Sequence, residues 1–278
     1  MAGKDRVMAV FSYEGINIFY EELGNPDGKV AIGFLNGVMA STSSWGFICP
    51  VFEKLGYRII LHDFMGQLKS DKPDRIYSFD EHCMQAKALY ESLGITKIHL
   101  IGTSYGGEAA MRFAMMYPEM TETISIIDSA SELTPVMKGF LESWKTLCDI
   151  GDGEIFFNGM VPSIYGNEFI EKNQELLSSR AAAIKDNPNG YLEGQKHLYD
   201  TFMEDLYMTD RLHEISCPAL ILCGTEDILK PPACAQLLAD NIPNAEYVLI
   251  PGSGHVTIFE RHRELTSAIL GFITKHTC

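Results

Sequence analysis

The chain has 278 residues, 46% of them apolar and 21% charged, and carries a formal net charge of −15. This is the composition of a globular protein long enough for one large α/β core plus an insertion, and it contains no run of about 18 apolar residues that would suit a membrane helix. The acidity speaks against nucleic acid and anionic membrane surfaces as partners.

Taken in order, Met1 to Arg6 lack the apolar stretch of a secretion signal, so none is expected. Val10 to Leu23 reads as a β-hairpin around Glu14-Gly15. Lys29 to Leu35 reads as a buried strand ending at Asn36-Gly37, and Trp45 to Leu55 as a helix closed by Gly56. Tyr57 to His62 is the next strand. Ser78, with Glu81 three residues on, predicts a capped helix through Leu93. Lys97 to Ile101 is a strand, followed at once by Gly102-Thr103-Ser104-Tyr105-Gly106 and a helical run from Gly107. Glu122 to Asp128 is another strand.

From about residue 130 to 215 the periodicity is helical, with no strand and many large apolar side chains, among them Met137, Trp144, Phe157, Met160, Tyr191 and Phe202. Strands return at Pro218 to Cys223 and Glu246 to Ile250, with helices expected at 231–241 and 258–275. Alternating strands and helices predict a mostly parallel sheet with helices on both faces. The helical block predicts a cap, residues 134–214, inserted into a core formed by 1–133 and 215–278. Seven cysteines at 49, 83, 148, 217, 223, 234 and 278 have no paired spacing and sit partly in apolar runs. Free thiols in a reducing cytoplasm are expected, and neither a disulfide framework nor a metal site.

The Gly-x-Ser-x-Gly run is the chemical centre. A serine on a sharp turn between strand and helix projects its hydroxyl out of the sheet, and the flanking glycines let helix and strand pack closely. A serine hydroxyl needs a base, and the base needs a group that sets its tautomer and stabilises its cation. His255, in Pro251-Gly252-Ser253-Gly254-His255 after the last strand, is the expected base. Asp227, after the Ala219–Cys223 strand, is the expected acid; Glu226 and Asp128 are weaker choices, and Asp227 also suits a helix-capping role before Pro231. Two backbone N–H groups should face the developing oxyanion: Tyr105, next to the serine, and Val38, in the Asn36-Gly37 loop.

With these residues in place the chain resembles the α/β-hydrolase superfamily, in its capped serine-hydrolase branch, over essentially its whole length. The resemblance implies Ser104, Asp227 and His255 as a triad and Val38 and Tyr105 as oxyanion donors. Two positions depart from the family pattern: Asn36-Gly37 replaces His-Gly, and Asp63-Phe64-Met65-Gly66-Gln67-Leu68-Lys69-Ser70 lacks the arginine of Asp-x-Arg-Gly-x-Gly-x-Ser. The two losses are expected to be coupled, one set of loop-holding hydrogen bonds standing in for another.

The Gly224–Asp227 and Pro251–His255 stretches are similar to 3-oxoadipate enol-lactonases and related esterases. Asn36 to Thr42 is similar to the 3-hydroxyacyl acyltransferases that make rhamnolipid precursors. The implied activity is cleavage of a small-molecule ester, lactone or acyl-thioester through an acyl-enzyme, without a cofactor. An acyltransferase using the same triad is the alternative, and a non-catalytic small-molecule receptor the lesser one. The apolar side chains of the cap are expected mainly to form its own core.

Overall fold

The computed structural model describes residues 6–28 and 31–277. Lys29 and Val30 of the expected third strand, Met1 to Asp5 and Cys278 lie outside the described residues. Strand β1 (Val7–Tyr13) turns into β2 (Ile16–Gly24) through Glu14 and Gly15, which both have positive φ, 49° and 82°. That is the two-residue turn whose twist matches a hairpin.

The remaining strands are β3 (Ala31–Leu35), β4 (Arg58–His62), β5 (Ile98–Thr103), β6 (Thr121–Ile127), β7 (Ala219–Gly224) and β8 (Ala245–Ile250). Among the described residues they form one eight-stranded sheet in the order β1-β2-β4-β3-β5-β6-β7-β8. The pairings are parallel from β4 through β8; only β1/β2 and β2/β4 are antiparallel. β5 lies near the centre and is buried at every position, as a parallel strand covered on both faces must be.

One face of the sheet is covered by α1 (Cys49–Lys54), over β2 and β4, and by α11 (His262–His276), over β6 and β7; Phe52, Leu265, Ile269 and Phe272 share one buried cluster with Ile32, Phe34, Ile59, Leu61, Ile127 and Leu222. The other is covered by α2 (Phe79–Ser92), α3 (Tyr105–Met116) and α9 (Pro232–Asn241). Ser78 caps α2 through the expected box: its hydroxyl accepts from the Glu81 N–H at 3.1 Å, and the Glu81 carboxylate accepts from the Ser78 N–H at 3.0 Å.

Between β6 and β7 lie only helices: α4 (Pro135–Asp149), α5 (Gly153–Ile164), α6 (Asn167–Lys172), α7 (Gln174–Ile184) and α8 (Tyr191–Asp205), followed by a 3₁₀ turn at Thr209–Glu214. Thr134 caps α4, accepting from the Met137 N–H at 3.2 Å, with Pro135 in the first turn where its missing N–H costs nothing.

Two helices differ from the sequence expectation. The Trp45–Leu55 segment is not one helix. A 3₁₀ turn at Thr42–Trp45 precedes α1, which starts only at Cys49 because the Trp45 indole is turned inward to a buried partner. The 258–275 segment is split at Arg261 (φ −135°) into α10 (Thr257–Glu260) and α11.

Candidate active site

Ser104 sits between β5 and α3 with φ 52° and ψ −120°, a conformation that a non-glycine residue holds only when its surroundings enforce it. They do: the Ser104 N–H donates to Ile127 O at 2.8 Å, and the Ser129 hydroxyl donates to Ser104 O at 3.0 Å. The neighbouring glycines are demanded by contact. A Cβ at Gly102 would meet Gly106 O at 2.1 Å, and one at Gly106 would meet Leu35 O at 2.0 Å.

His255 lies in the loop after β8, buried, and its Nε2 is 2.9 Å from the Ser104 hydroxyl. Its Nδ1 is 2.7 Å from Asp227 Oδ2. The other Asp227 oxygen accepts the N–H groups of Leu229 and Lys230, at 2.9 and 2.8 Å. Asp227 therefore organises its own turn and holds the imidazole, but it does not cap the following helix, whose N-cap Pro231 has no side-chain cap bond. The His255 N–H donates to Ile164 O at 2.8 Å, which ties the histidine loop to the end of α5.

Asp128 lies outside this chain of contacts. Its two oxygens accept the N–H groups of Gly224 (2.9 Å) and Thr257 (3.2 Å), so it braces β7 against α10. Burial and the neighbouring Asp227 carboxylate push its pKa up. Asp128, Cys223 and Asp227 bring ligand-type atoms within 4.8 Å of one another, but each is committed to the hydrogen bonds of these loops: Cys223 Sγ contacts Gly224 O at 3.3 Å and Lys230 O at 3.7 Å.

Val38 and Tyr105 border the same cavity as Ser104. A Cβ on Gly37 would already stand 3.5 Å from the Ser104 Cβ, which measures how closely this loop approaches the serine. Asn36, fully buried, holds the loop. Its Nδ2 donates to His62 O (2.9 Å), Gln67 Oε1 (3.1 Å) and Asp63 Oδ1 (3.2 Å), and its Oδ1 accepts from the Trp45 indole at 2.8 Å. Gln67 closes the circuit by donating to Gly37 O at 2.8 Å. Of the two departures from the family pattern, Asn36 belongs to this network, whereas Met65, at the arginine position, accepts instead from Gln85 and Arg75; the partner of Asn36 is Gln67, two residues further on. Gln195 of α8 adds a bond from the helical insertion, to Val38 O at 2.9 Å.

Two further side chains at the serine escaped the sequence reading. Lys230, buried, places its Nζ 3.2 Å from the Ser104 hydroxyl and 2.8 Å from Glu108 Oε1. Glu108 is fully buried on α3, and burial pushes its pKa up while Lys230 opposes that shift. No spacing rule marks the pair, because its members are 122 residues apart.

Above the serine is a cavity of about 580 Å³. Met137, Trp144, Phe157, Met160, Tyr191 and Phe202 of the helical insertion line it, so these side chains form its wall as well as packing among themselves. Tyr207, by contrast, is exposed.

A strained serine on a strand–helix turn, bonded to an imidazole beneath a lined cavity, defines an enzyme-type site at the carboxyl ends of the central strands of a mostly parallel sheet. The chain belongs to the α/β-hydrolase fold family, whose pattern matches residues 31–262. It is 23% identical over 291 residues to a proline iminopeptidase of Lactobacillus helveticus, covering 95% of this chain and 96% of that one. Among solved structures, an α/β hydrolase enzyme from a Medee basin deep-sea metagenome library superposes with a TM-score of 0.87 at 29% identity, over 96% of this chain and 97% of the other. The enol-lactonase of Burkholderia xenovorans LB400 shares the fold, with a TM-score of 0.87 at 19% identity over 96% of this chain and 100% of that one. Among the described residues no helix is long and apolar enough to cross a membrane.

Proposed function

We propose that this protein is a serine hydrolase that cleaves a carboxylic ester, lactone or thioester through an acyl-enzyme on Ser104. The observation that carries this reading is the unbroken chain Ser104 hydroxyl, His255 Nε2, His255 Nδ1, Asp227 Oδ2, with spacings of 2.9 and 2.7 Å, opening onto the cavity.

In this reading His255 takes the Ser104 proton as the oxygen attacks the carbonyl carbon, and Asp227 holds the imidazole and stabilises the imidazolium. The N–H groups of Val38 and Tyr105 bind the oxyanion, each contributing about 3 kcal/mol to the barrier reduction. His255 then hands the proton to the leaving oxygen or sulfur as the carbonyl reforms. Water, deprotonated by the same imidazole, attacks the acyl-enzyme, releases the acid and restores the serine. The helical insertion, residues 134–214, acts as the cap that shapes the acyl pocket. The six described cysteines are free, which supports a reducing compartment such as the cytoplasm.

The test is turnover of p-nitrophenyl esters from acetyl to dodecanoyl by the wild type and Ser104→Ala. Turnover with an optimum at medium chain length, abolished in the variant, is expected. A Ser104→Ala protein that keeps the wild-type rate overturns the assignment. Adding a hydroxyacid acceptor to the same assay separates transfer from hydrolysis by the product formed.

A further inference from the structure

The walls of the cavity over Ser104 do not share the acidity of the molecule. The chain carries −15, yet among the described residues lining the cavity there is no carboxylate, whereas Lys230 and Arg180 are both present. Lys230 is the cation at the reacting centre. Its ammonium, with three N–H groups to place, meets Glu108 at 2.8 Å, the Ser104 hydroxyl at 3.2 Å and the face of Phe202, whose ring centroid is 4.5 Å away.

Burying such a pair is costly, because desolvation offsets most of the attraction between the charges. Neither the strained turn nor the proton relay accounts for it. Ile127 O and the Ser129 hydroxyl hold the turn, and His255 and Asp227 complete the relay. Glu108 keeps Lys230 aimed forward: its Oε1 also accepts the Ala130 N–H at 2.8 Å, and its Oε2 is buried without a partner. What changes during a reaction is the contact with the Ser104 hydroxyl. As the bond from Ser104 Oγ to the acyl carbon forms, Oγ becomes an ester-type oxygen and a poor acceptor, so one N–H of Lys230 is released beside the acyl group already in the acylation step.

We propose that Lys230 is a specificity-determining residue that binds an oxygen acceptor on the α- or β-carbon of the acyl group. The preferred substrates are then acyl donors bearing a keto, hydroxyl or carboxylate oxygen next to the scissile carbonyl. Their apolar remainder lies against Met137, Trp144 and Phe157. Plain fatty esters are the poorer substrates. This inference rests on Ser104 being the nucleophile.

The test uses proton release from four substrates that share a six-carbon acyl chain. They are the ethyl esters of hexanoic, 2-oxohexanoic and 3-hydroxyhexanoic acids, and the monoethyl ester of butylmalonic acid. Each is assayed with the wild type and with Glu108→Gln/Lys230→Met, which removes both charges together. The preference for each oxygenated ester over ethyl hexanoate, in kcat/KM, is compared between the two proteins, so that intrinsic ester reactivity cancels.

A fall of about tenfold or more in at least one preference is expected, the size of a lost charge-assisted hydrogen bond. The ester whose preference falls identifies which oxygen is read. Unchanged preferences alongside Ser104-dependent cleavage of ethyl hexanoate overturn the role of Lys230 and leave the hydrolase reading standing. Failure of all four esters to undergo Ser104-dependent cleavage overturns both.

Should the double variant not fold, competitive inhibition of the wild type decides. Heptane-2,3-dione or 4-hydroxyheptan-2-one should inhibit about tenfold more strongly than heptan-2-one. Equal inhibition by all three ketones overturns the proposal.

Discussion

Two buried pairs, each containing a carboxylate, reach the Ser104 hydroxyl, and they differ in kind. On one side Asp227 and His255 come from neighbouring strand-end loops, and the imidazole can gain and lose a proton. Asp227 is fully engaged there, one oxygen on Nδ1 and the other on two backbone N–H groups. On the other side Glu108 and Lys230 form a fixed ion pair, and one Glu108 oxygen has no partner. Under the proposed mechanism, one hydroxyl is served by a relay that moves a proton and by a charge that stays put. The relay suits bond making, and the fixed charge suits recognition.

The largest way to break the comparison is on the relay side. His255→Ala should lower kcat for ester cleavage by about four orders of magnitude, and Asp227→Asn by a similar factor, since a wrongly oriented imidazole is nearly as damaging as an absent one. Both proteins should melt close to the wild type. A loss of less than tenfold in His255→Ala would remove the relay from the mechanism.

Next in size is the fixed pair. Glu108→Ala leaves the Lys230 ammonium buried alone and should cost about 3–5 kcal/mol in urea unfolding. Glu108→Gln/Lys230→Met should recover most of that loss. If the single and double variants unfold at the same urea concentration, the ion pair does not govern this part of the core.

A smaller effect is expected at the Asn36–Val38 loop, the proposed oxyanion loop. Gln67→Ala removes the bond to Gly37 O and the acceptor shared by Asn36 and the Phe64 N–H, at a stability cost of about 1–3 kcal/mol. It should also reduce kcat, with KM little changed, because the Val38 N–H loses its aim. Asn36→Ala and Gln67→Ala should be strongly non-additive in a double-mutant cycle; simple additivity would mean that the two act separately.

The smallest effect per unit of pH concerns acid stability. Burial holds the imidazoles of His62, His82 and His99 down, to about 4, about 3 and about 4. The folded form keeps them neutral while the unfolded chain protonates them near 6.5. Their stabilising contribution is therefore present above pH 6.5 and is lost as the pH falls towards 4, at up to about 1.4 kcal/mol per pH unit for each histidine. His62, both of whose nitrogens are buried without partners, is the one to remove. His62→Leu should flatten the acid limb of a stability–pH curve, and an unchanged slope would argue against this assignment.

How much of this was legible beforehand follows the distance over which each feature is encoded. The Ser104 turn was readable because a strand, two packing glycines and a helix are written in one short stretch. The Ser78–Glu81 cap was readable for the same reason. Asn36 is legible as a departure from the family pattern, but its bond to Gln67, at a position the pattern leaves open, is not, since only the juxtaposition of β3 and β4 brings them together. The Trp45–Leu55 helix was misread because a helical pattern of apolar residues says nothing of an indole drawn away to Asn36. The segment after His255 was read as a single helix because no proline or glycine marks the break at Arg261.

The sequence by itself determined the alternation of strand and helix, the helical insertion and the order serine, aspartate, histidine. All of these are set by local backbone preference, hydrophobic period and chain order. Only the tertiary structure decided that Asp128 turns away from His255 and that the walls of the insertion enclose a cavity. It alone placed a lysine from the loop after β7 against a glutamate on α3, at the serine. Such contacts depend on how far apart folded elements come to rest and on which buried charge finds a partner, and neither quantity is written in any local run of residues.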